Sequence, residues 1–356
     1  MKARLFRLVS FSAAAGLAVF GVMLTLQVRS NLEDRRQTDF EVETSKFTVE
    51  VETALTRLQD RIHALVALFE TSQEVTEAEF EHFLDVTGMF EETSVLGVAV
   101  APVVKADRVD ELNAALARRW ESRMLLGYPS LTLTPRGNRS DFMPVVYFES
   151  RGLSRDAVGE DLARLPALRL AAERALAGTG PQLSAPQRLA GASDRTPPNM
   201  MLIGATEHGR LGLRPDRTDE SNPAVIAYDF TPAILIADLF ARSRPDRFAL
   251  QVHDVTGTAP LLVARLEEPA AEERFNHVET IEVAGRRWRL SYMPGPAFVA
   301  QGSLIWLYVM SGVALLLLGA LAVAVDQLIK RREELARRVE ERTAQLVVMN
   351  EQLAEA

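Results

Sequence analysis

The apolar run Leu304–Val325, LIWLYVMSGVALLLLGALAVAV, constrains this chain more than any other stretch. It carries no charge, and as a helix it reaches roughly 33 Å, enough to cross a hydrocarbon core of about 30 Å. Trp306 and Tyr308 stand at its leading edge, where amphipathic rings favour the headgroup layer, and Lys330, Arg331 and Arg332 follow its trailing edge. A second apolar run, Leu8–Val28, comes after Lys2, Arg4 and Arg7. It is long for the core of a signal peptide and no small-x-small cleavage site follows it, so it reads as an uncleaved anchor.

Orientation rests on the second run. Basic residues gather in Lys330–Arg338, whereas Arg289 is the nearest one before Leu304. The positive-inside bias therefore puts the C-terminus in the cytoplasm, and two spans return the N-terminus there. The expectation is a two-pass protein of the inner (plasma) membrane with its central part outside. By segment this means a cytoplasmic N-terminus (1–7), a first span (8–28), a helical stalk (29–75), an extracytoplasmic domain (76–303), a second span (304–325) and a cytoplasmic coiled-coil linker (326–356).

Composition narrows the function classes. A net charge of −8 argues against nucleic acid as a partner, since phosphate backbones demand a basic face. The chain has no cysteine, which removes disulfides, thiolate metal sites and cysteine nucleophiles. His63, His82, His208, His253 and His277 are scattered without metal-ligand spacing. No G-x-S-x-G, H-E-x-x-H or P-loop motif occurs. The expectation is a binding protein with no catalytic residue, no metal and no cofactor.

The central part begins as helix. Phe40, Phe47, Val51, Leu55, Leu58, Ile62, Leu65 and Phe69 recur after a first gap of seven at three- and four-residue steps, the spacing of one helical face. That face could pack on its own domain, pair with a second copy, or do both along its length. Thr76 and Glu79 form a capping-box pattern that opens a second helix carrying Phe80, Phe83 and Leu84. Val95–Val104 reads as a buried strand, Asp107–Trp120 as a helix, and Leu131–Thr134 and Met143–Phe148 as two more strands. The fold class is α+β with antiparallel sheet.

From Pro144 the text runs PVVYFES, then VGEDLARLPALRLAAERALAGTGPQLSAPQRL. Pro166 suits the first helical position, Arg169 and Glu173 can pair across one turn, and Gly178 suits the residue after the helix end. The succession Pro144-Val145-x-Tyr147-x-Glu149, Gly159-x-Asp161, an alanine- and glycine-rich helix end at Ala175–Gly180, and Leu183-Ser184-x-Pro186 resembles the CHASE domain, the extracellular sensor of cytokinin-receptor-like and bacterial membrane receptors. Ala224–Phe230 followed by Ala233–Phe240, the strand Phe248–Asp254, and the hairpin Ile281–Leu290 resemble later parts of that family, so the likeness runs from about Phe80 to Pro294. Ser150 departs from the proline usual after the glutamate.

The resemblance implies a long helical stalk and two PAS-like antiparallel-sheet subdomains between two transmembrane helices, with the membrane-distal subdomain holding an unidentified small-molecule ligand. It also implies that Asp161 accepts hydrogen bonds from the ligand, with Leu183 and Ser184 on the wall and Tyr147 nearby. The alternative for Asp161 is a turn cap, and for Tyr147 plain core packing.

Beyond Lys330 a charged helix carries Leu328, Leu335, Val339, Arg342, Leu346, Met349 and Leu353 near heptad spacing. It is similar to the coiled-coil linkers before histidine kinase or diguanylate cyclase modules. A homodimer is expected through this seam and the Phe40–Phe69 face. No phospho-accepting histidine or nucleotide motif lies in the tail, so the signal would pass to a cytoplasmic partner or output outside these 356 residues. A membrane-tethered enzyme with an unfamiliar active site, the input fragment of a kinase or cyclase, and a mainly structural anchor are the alternatives.

Overall fold

The computed structural model describes residues 2–124, 139–151, 157–187, 196–209, 211, 222–243, 246–268, 275–301 and 305–354. One helix, α1 (Lys2–Thr71), opens the chain, and α2 (Glu77–Val86) follows. Then come β1 (Val95–Pro102), β2 (Val104–Lys105), α3 (Val109–Met124), β3 (Asp141–Phe142) and β4 (Tyr147–Ser150). A 3-10 turn at Leu162–Arg164 leads into α4 (Pro166–Leu176), β5 (Gln182–Leu183), β6 (Met200–Gly209), β7 (Asn222–Phe230) and α5 (Pro232–Arg242). The last elements are β8 (Phe248–Asp254), β9 (Leu261–Leu266), β10 (His277–Val283), β11 (Arg286–Pro294), α6 (Pro296–Gln301) and α7 (Ile305–Ala354).

Contacts divide the chain into two units, 1–39 with 300–356, and 40–299. In the first, α1 and α7 each carry a stretch long and apolar enough to cross a membrane. Phe20, Met23, Trp306, Leu316 and Leu317 are exposed there, which water would penalise and lipid would not. Thr25 Oγ1 lies 2.9 Å from Ser311 Oγ, one polar link between the two helices.

Among the described residues the second unit holds two large antiparallel sheets and a short two-stranded one of β2 and β3. The first runs in the order β4-β1-β7-β6-β5 and the second β10-β11-β8-β9. The α1 residues Phe40, Phe47, Val51, Leu55, Leu58, Ile62, Leu65 and Phe69 are all buried against this same chain. Phe47 packs edge-on against Phe240, Phe248 and Tyr292, at ring-centroid distances of 5.8, 5.5 and 6.5 Å. Further along, Ile62 approaches β6 so closely that a Cβ on Gly204 would sit 2.5 Å from its Cγ2. The helix therefore runs along both sheets. The apolar face of α1 is thus covered by the domain's own core.

Most local expectations are met. Thr76 and Glu79 form the capping box, Pro166 opens α4, Arg169 and Glu173 pair at 3.7 Å, and Gly178 follows the helix end with φ +79°. The strand expected over Met143–Phe148 is shifted to Tyr147–Ser150. Pro144 has no N–H for a ladder. Its neighbours bond to the following loop instead: Val145 N–H donates to Glu160 O, and Gly159 N–H and Leu162 N–H donate to Val145 O and Met143 O, all at 2.9 Å. The strand expected at 131–134 lies outside the described residues.

The two sheets touch at a tight turn. Ala284 and Gly285 both take positive φ (43° and 79°), the backbone of a two-residue hairpin matched to strand twist. Leu183 N–H on β5 donates to Ala284 O at 2.8 Å, so the β10–β11 hairpin is hydrogen-bonded to the edge of the first sheet.

Candidate ligand site

The first sheet has two unlike faces. One carries Val98, Val100, Tyr147, Ile226, Tyr228 and Leu202 and belongs to the core that includes α1. The other carries Ala99, Ala101, Val225, Ala227 and Ile203 and meets Leu168, Ala171, Ala172 and Ala175 of α4. Small residues on both sides of the second interface let α4 lie close to the strands.

The four residues expected to touch a ligand are not brought together around one cavity. Tyr147 is buried on the α1-facing side, stacked on Phe80 at 5.7 Å, and its hydroxyl donates to Val75 O at 2.9 Å. Leu183 is buried in the same core but on β5, at the opposite edge of the sheet. Four strand spacings separate the two edges, about 19 Å at about 4.8 Å each. Ser184 Oγ accepts from Met201 N–H at 2.9 Å and donates to Ala185 O at 3.1 Å.

Asp161 is fully engaged. Its Oδ1 accepts from Met143 N–H and Ala163 N–H, each at 3.0 Å, and its Oδ2 pairs with Arg139. It caps the 3-10 turn at Leu162–Arg164 and ties that turn to the segment before β4. The alternative of a turn cap accounts for the Ala163 contact, and Met143 and Arg139 hold the carboxylate from the segment before β4.

A different carboxylate, Asp229 on β7, stands without such support. Its neighbours across the ladder are Gly97 on β1 and Met201 on β6. Its Oδ1 is sealed from solvent and accepts no hydrogen bond among the described residues. Burial alone pushes its carboxyl from 3.8 up to about 7. Neither Gly97 nor Met201 titrates, and the charged residues of α4, Arg169, Glu173 and Arg174, are not among those it buries against this face. Sequence reasoning passed over Asp229 because a lone acid near the end of an apolar strand reads as a solvated end. Only the register shows it faces the covered side of the sheet.

The sign of the resulting pH dependence follows from that shift. The folded-state value lies above the unfolded one, so the ionised group destabilises the fold. The penalty is absent below about pH 4, grows up to about pH 7, and is constant above. Asp229→Asn should therefore melt higher than the parent at pH 8, with the gap closing as pH falls to 4, as followed by circular dichroism.

A cleft of 460 Å³ opens elsewhere, between α1, the C-terminal end of α4 and the end of β6, with His63, Glu70, Gly178, Thr206 and Glu207 among its walls. None of the four expected residues lines it. Glu77, Glu81 and Glu149 bring carboxylate oxygens within 4.8 Å of one another, a spacing that suits a hard cation, although acidic side chains gather at surfaces without one.

The CHASE domain profile matches residues 73–263. The chain belongs to the CHASE domain family. The match starts at the end of α1 and ends in β9, so it covers the whole first sheet and the start of the second. No curated protein matches the chain. Among solved structures, the periplasmic sensory domain of the Campylobacter jejuni chemoreceptor Tlp1 is similar over 74% of this chain and 94% of that one. Its identity is 8% and its TM-score 0.33, a likeness too slight to bear on fold or ligand. The CHASE assignment therefore rests on the sequence profile.

Proposed function

We propose that this chain is a membrane-anchored extracytoplasmic sensor that binds a small molecule and passes the event through its transmembrane helices to a cytoplasmic signalling partner. The observation that carries this is a CHASE domain at residues 73–263, flanked by two helices able to span a bilayer. In this reading each sheet with its covering helices is one PAS-like subdomain, and the first is the ligand-binding one. Both termini lie in the cytoplasm, following the basic cluster Lys330–Arg338.

With the Phe40–Phe69 face taken up internally, homodimerisation falls to the tail. There Leu328, Leu335, Val339, Leu346 and Met349 are all exposed on α7. Because α1 packs on both sheets and continues into the first span, a shift between two packings in the domain would reach the membrane along this helix. The test uses Leu346→Cys in the otherwise cysteine-free full chain, reconstituted in vesicles. Covalent dimers are expected, and their rate of formation should change on adding a compound that raises the melting temperature. A bound compound that leaves crosslinking unchanged would count against transmission.

A further inference from the structure

Asp229 is not alone at its end of the first sheet. Gln187 and Asn199 form an antiparallel bridge, exchanging two backbone hydrogen bonds at 2.8 Å. Asn199 lies two residues before Met201, the residue across from Asp229. The pleat therefore puts Gln187, Asn199, Met201 and Asp229 on the same, α4-facing side. Asn199 Oδ1 is satisfied by the Thr231 hydroxyl at 3.0 Å. Gln187 Nε2 is not: like Asp229 Oδ1 it is sealed from solvent and has no hydrogen-bond partner among the described residues.

A buried acceptor and a buried donor are thus left open on one side of one sheet. Diagonal neighbours on adjacent strands lie about 7–8 Å apart, and Gln187 is one strand further. That is too far for the two to satisfy each other, and a span a small molecule can bridge. Beside them Gly97 contributes no side chain, and the Phe148 ring lies so near that a Cβ on Gly97 would meet it at 2.9 Å. Leaving such groups unpaired is costly, and a bound solute that met both would remove that cost.

We propose that Asp229 and Gln187 form the two polar contacts of a ligand site, for a small solute that offers an ammonium or amide N–H to Asp229 and a carbonyl or carboxylate oxygen to Gln187. Amino acids, primary amides and nucleobases share this chemistry. An ionised Asp229 accepts only, which selects the N–H, and the Gln187 amide supplies the donor that an acyl oxygen needs. The proposal rests on the sensor reading and names the chemical class its site accepts. Asp161, with its hydrogen bonds made internally, has no part in it.

The experiment is a thermal-shift and calorimetric screen of the full chain in lipid nanodiscs. The probes are the common amino acids, acetamide and propionamide, and the nucleobases, with ethylammonium and propionate as single-function controls. At least one two-function compound should bind. Asp229→Asn should weaken it tenfold or more and Gln187→Ala several-fold, while Asp161→Asn melts lower and binds within threefold of the parent. Asp229→Asn is near-isosteric and removes a buried charge, so it is expected to fold. If two-function compounds bind Asp229→Asn as well as the parent, or none of the panel binds, the assignment is wrong. A compound of another class that binds independently of Asp229 yet alters tail crosslinking would overturn this site and leave the sensor reading standing.

Discussion

Phe47→Ala is expected to lower the stability of the domain formed by residues 40–299 by about 3–5 kcal/mol, the usual loss for a large aromatic removed from a packed core. Phe47 is 2% exposed and its ring is held edge-on by Phe240, Phe248 and Tyr292. Little in that cluster can collapse into the void, because Phe248 is itself held edge-on by both Phe240 and Tyr292. For a domain of this size the loss corresponds to a fall in melting temperature of roughly 6–20 °C. Val49→Ala, at a position 58% exposed on the same helix, should move it little. A dimer seam at Phe47 would behave differently, with melting that depends on protein concentration. Calorimetry at two concentrations separates the two.

Asp254→Ala should cost about as much, for an electrostatic reason. Asp254 is 1% exposed at the end of β8, its Oδ1 accepts from Thr256 N–H at 2.9 Å, and its Oδ2 pairs with Arg286. Removing the carboxylate leaves a largely buried guanidinium uncompensated, worth about 3–5 kcal/mol. The double variant Asp254→Ala/Arg286→Met should recover a good part of that loss, since no buried charge is left unpaired. Urea titrations of the two singles and the double close the cycle; a double variant less stable than either single would refute the pairing argument. Arg286 opens β11 just after the Ala284–Gly285 turn. The same change should therefore loosen the hairpin whose Ala284 O accepts from Leu183 N–H on β5 and so weaken the link between the sheets.

How far the sequence led depended on how local each signal was. The capping box at Thr76, Pro166 at the head of α4, and the strand Phe248–Asp254 are written in a few consecutive residues, and they appear as read. The apolar face of α1 was legible as a face, but periodicity carries no information on whether its cover is the same chain or a second copy. The site was the least legible part. The sequence offers Asp161 as a ligand contact or a turn cap, and nothing in it shows that Arg139, twenty-two residues earlier, pairs with it. Tyr147 and Leu183 stand close to the motifs that resemble the family, yet strand order puts them on opposite edges of one sheet. Asp229 and Gln187 became a pair only through the register of three strands, which no short stretch encodes.

In the proposed topology the CHASE domain faces outward while the tail lies inside. Single cysteines at Asp107 and at Glu341, exposed positions in the domain and in α7, can be placed in a chain that has none of its own. In cells whose inner membrane is intact, a membrane-impermeant maleimide should label Asp107→Cys at once and Glu341→Cys only after permeabilisation. Labelling of Glu341→Cys without permeabilisation, or protection of Asp107→Cys, would contradict it.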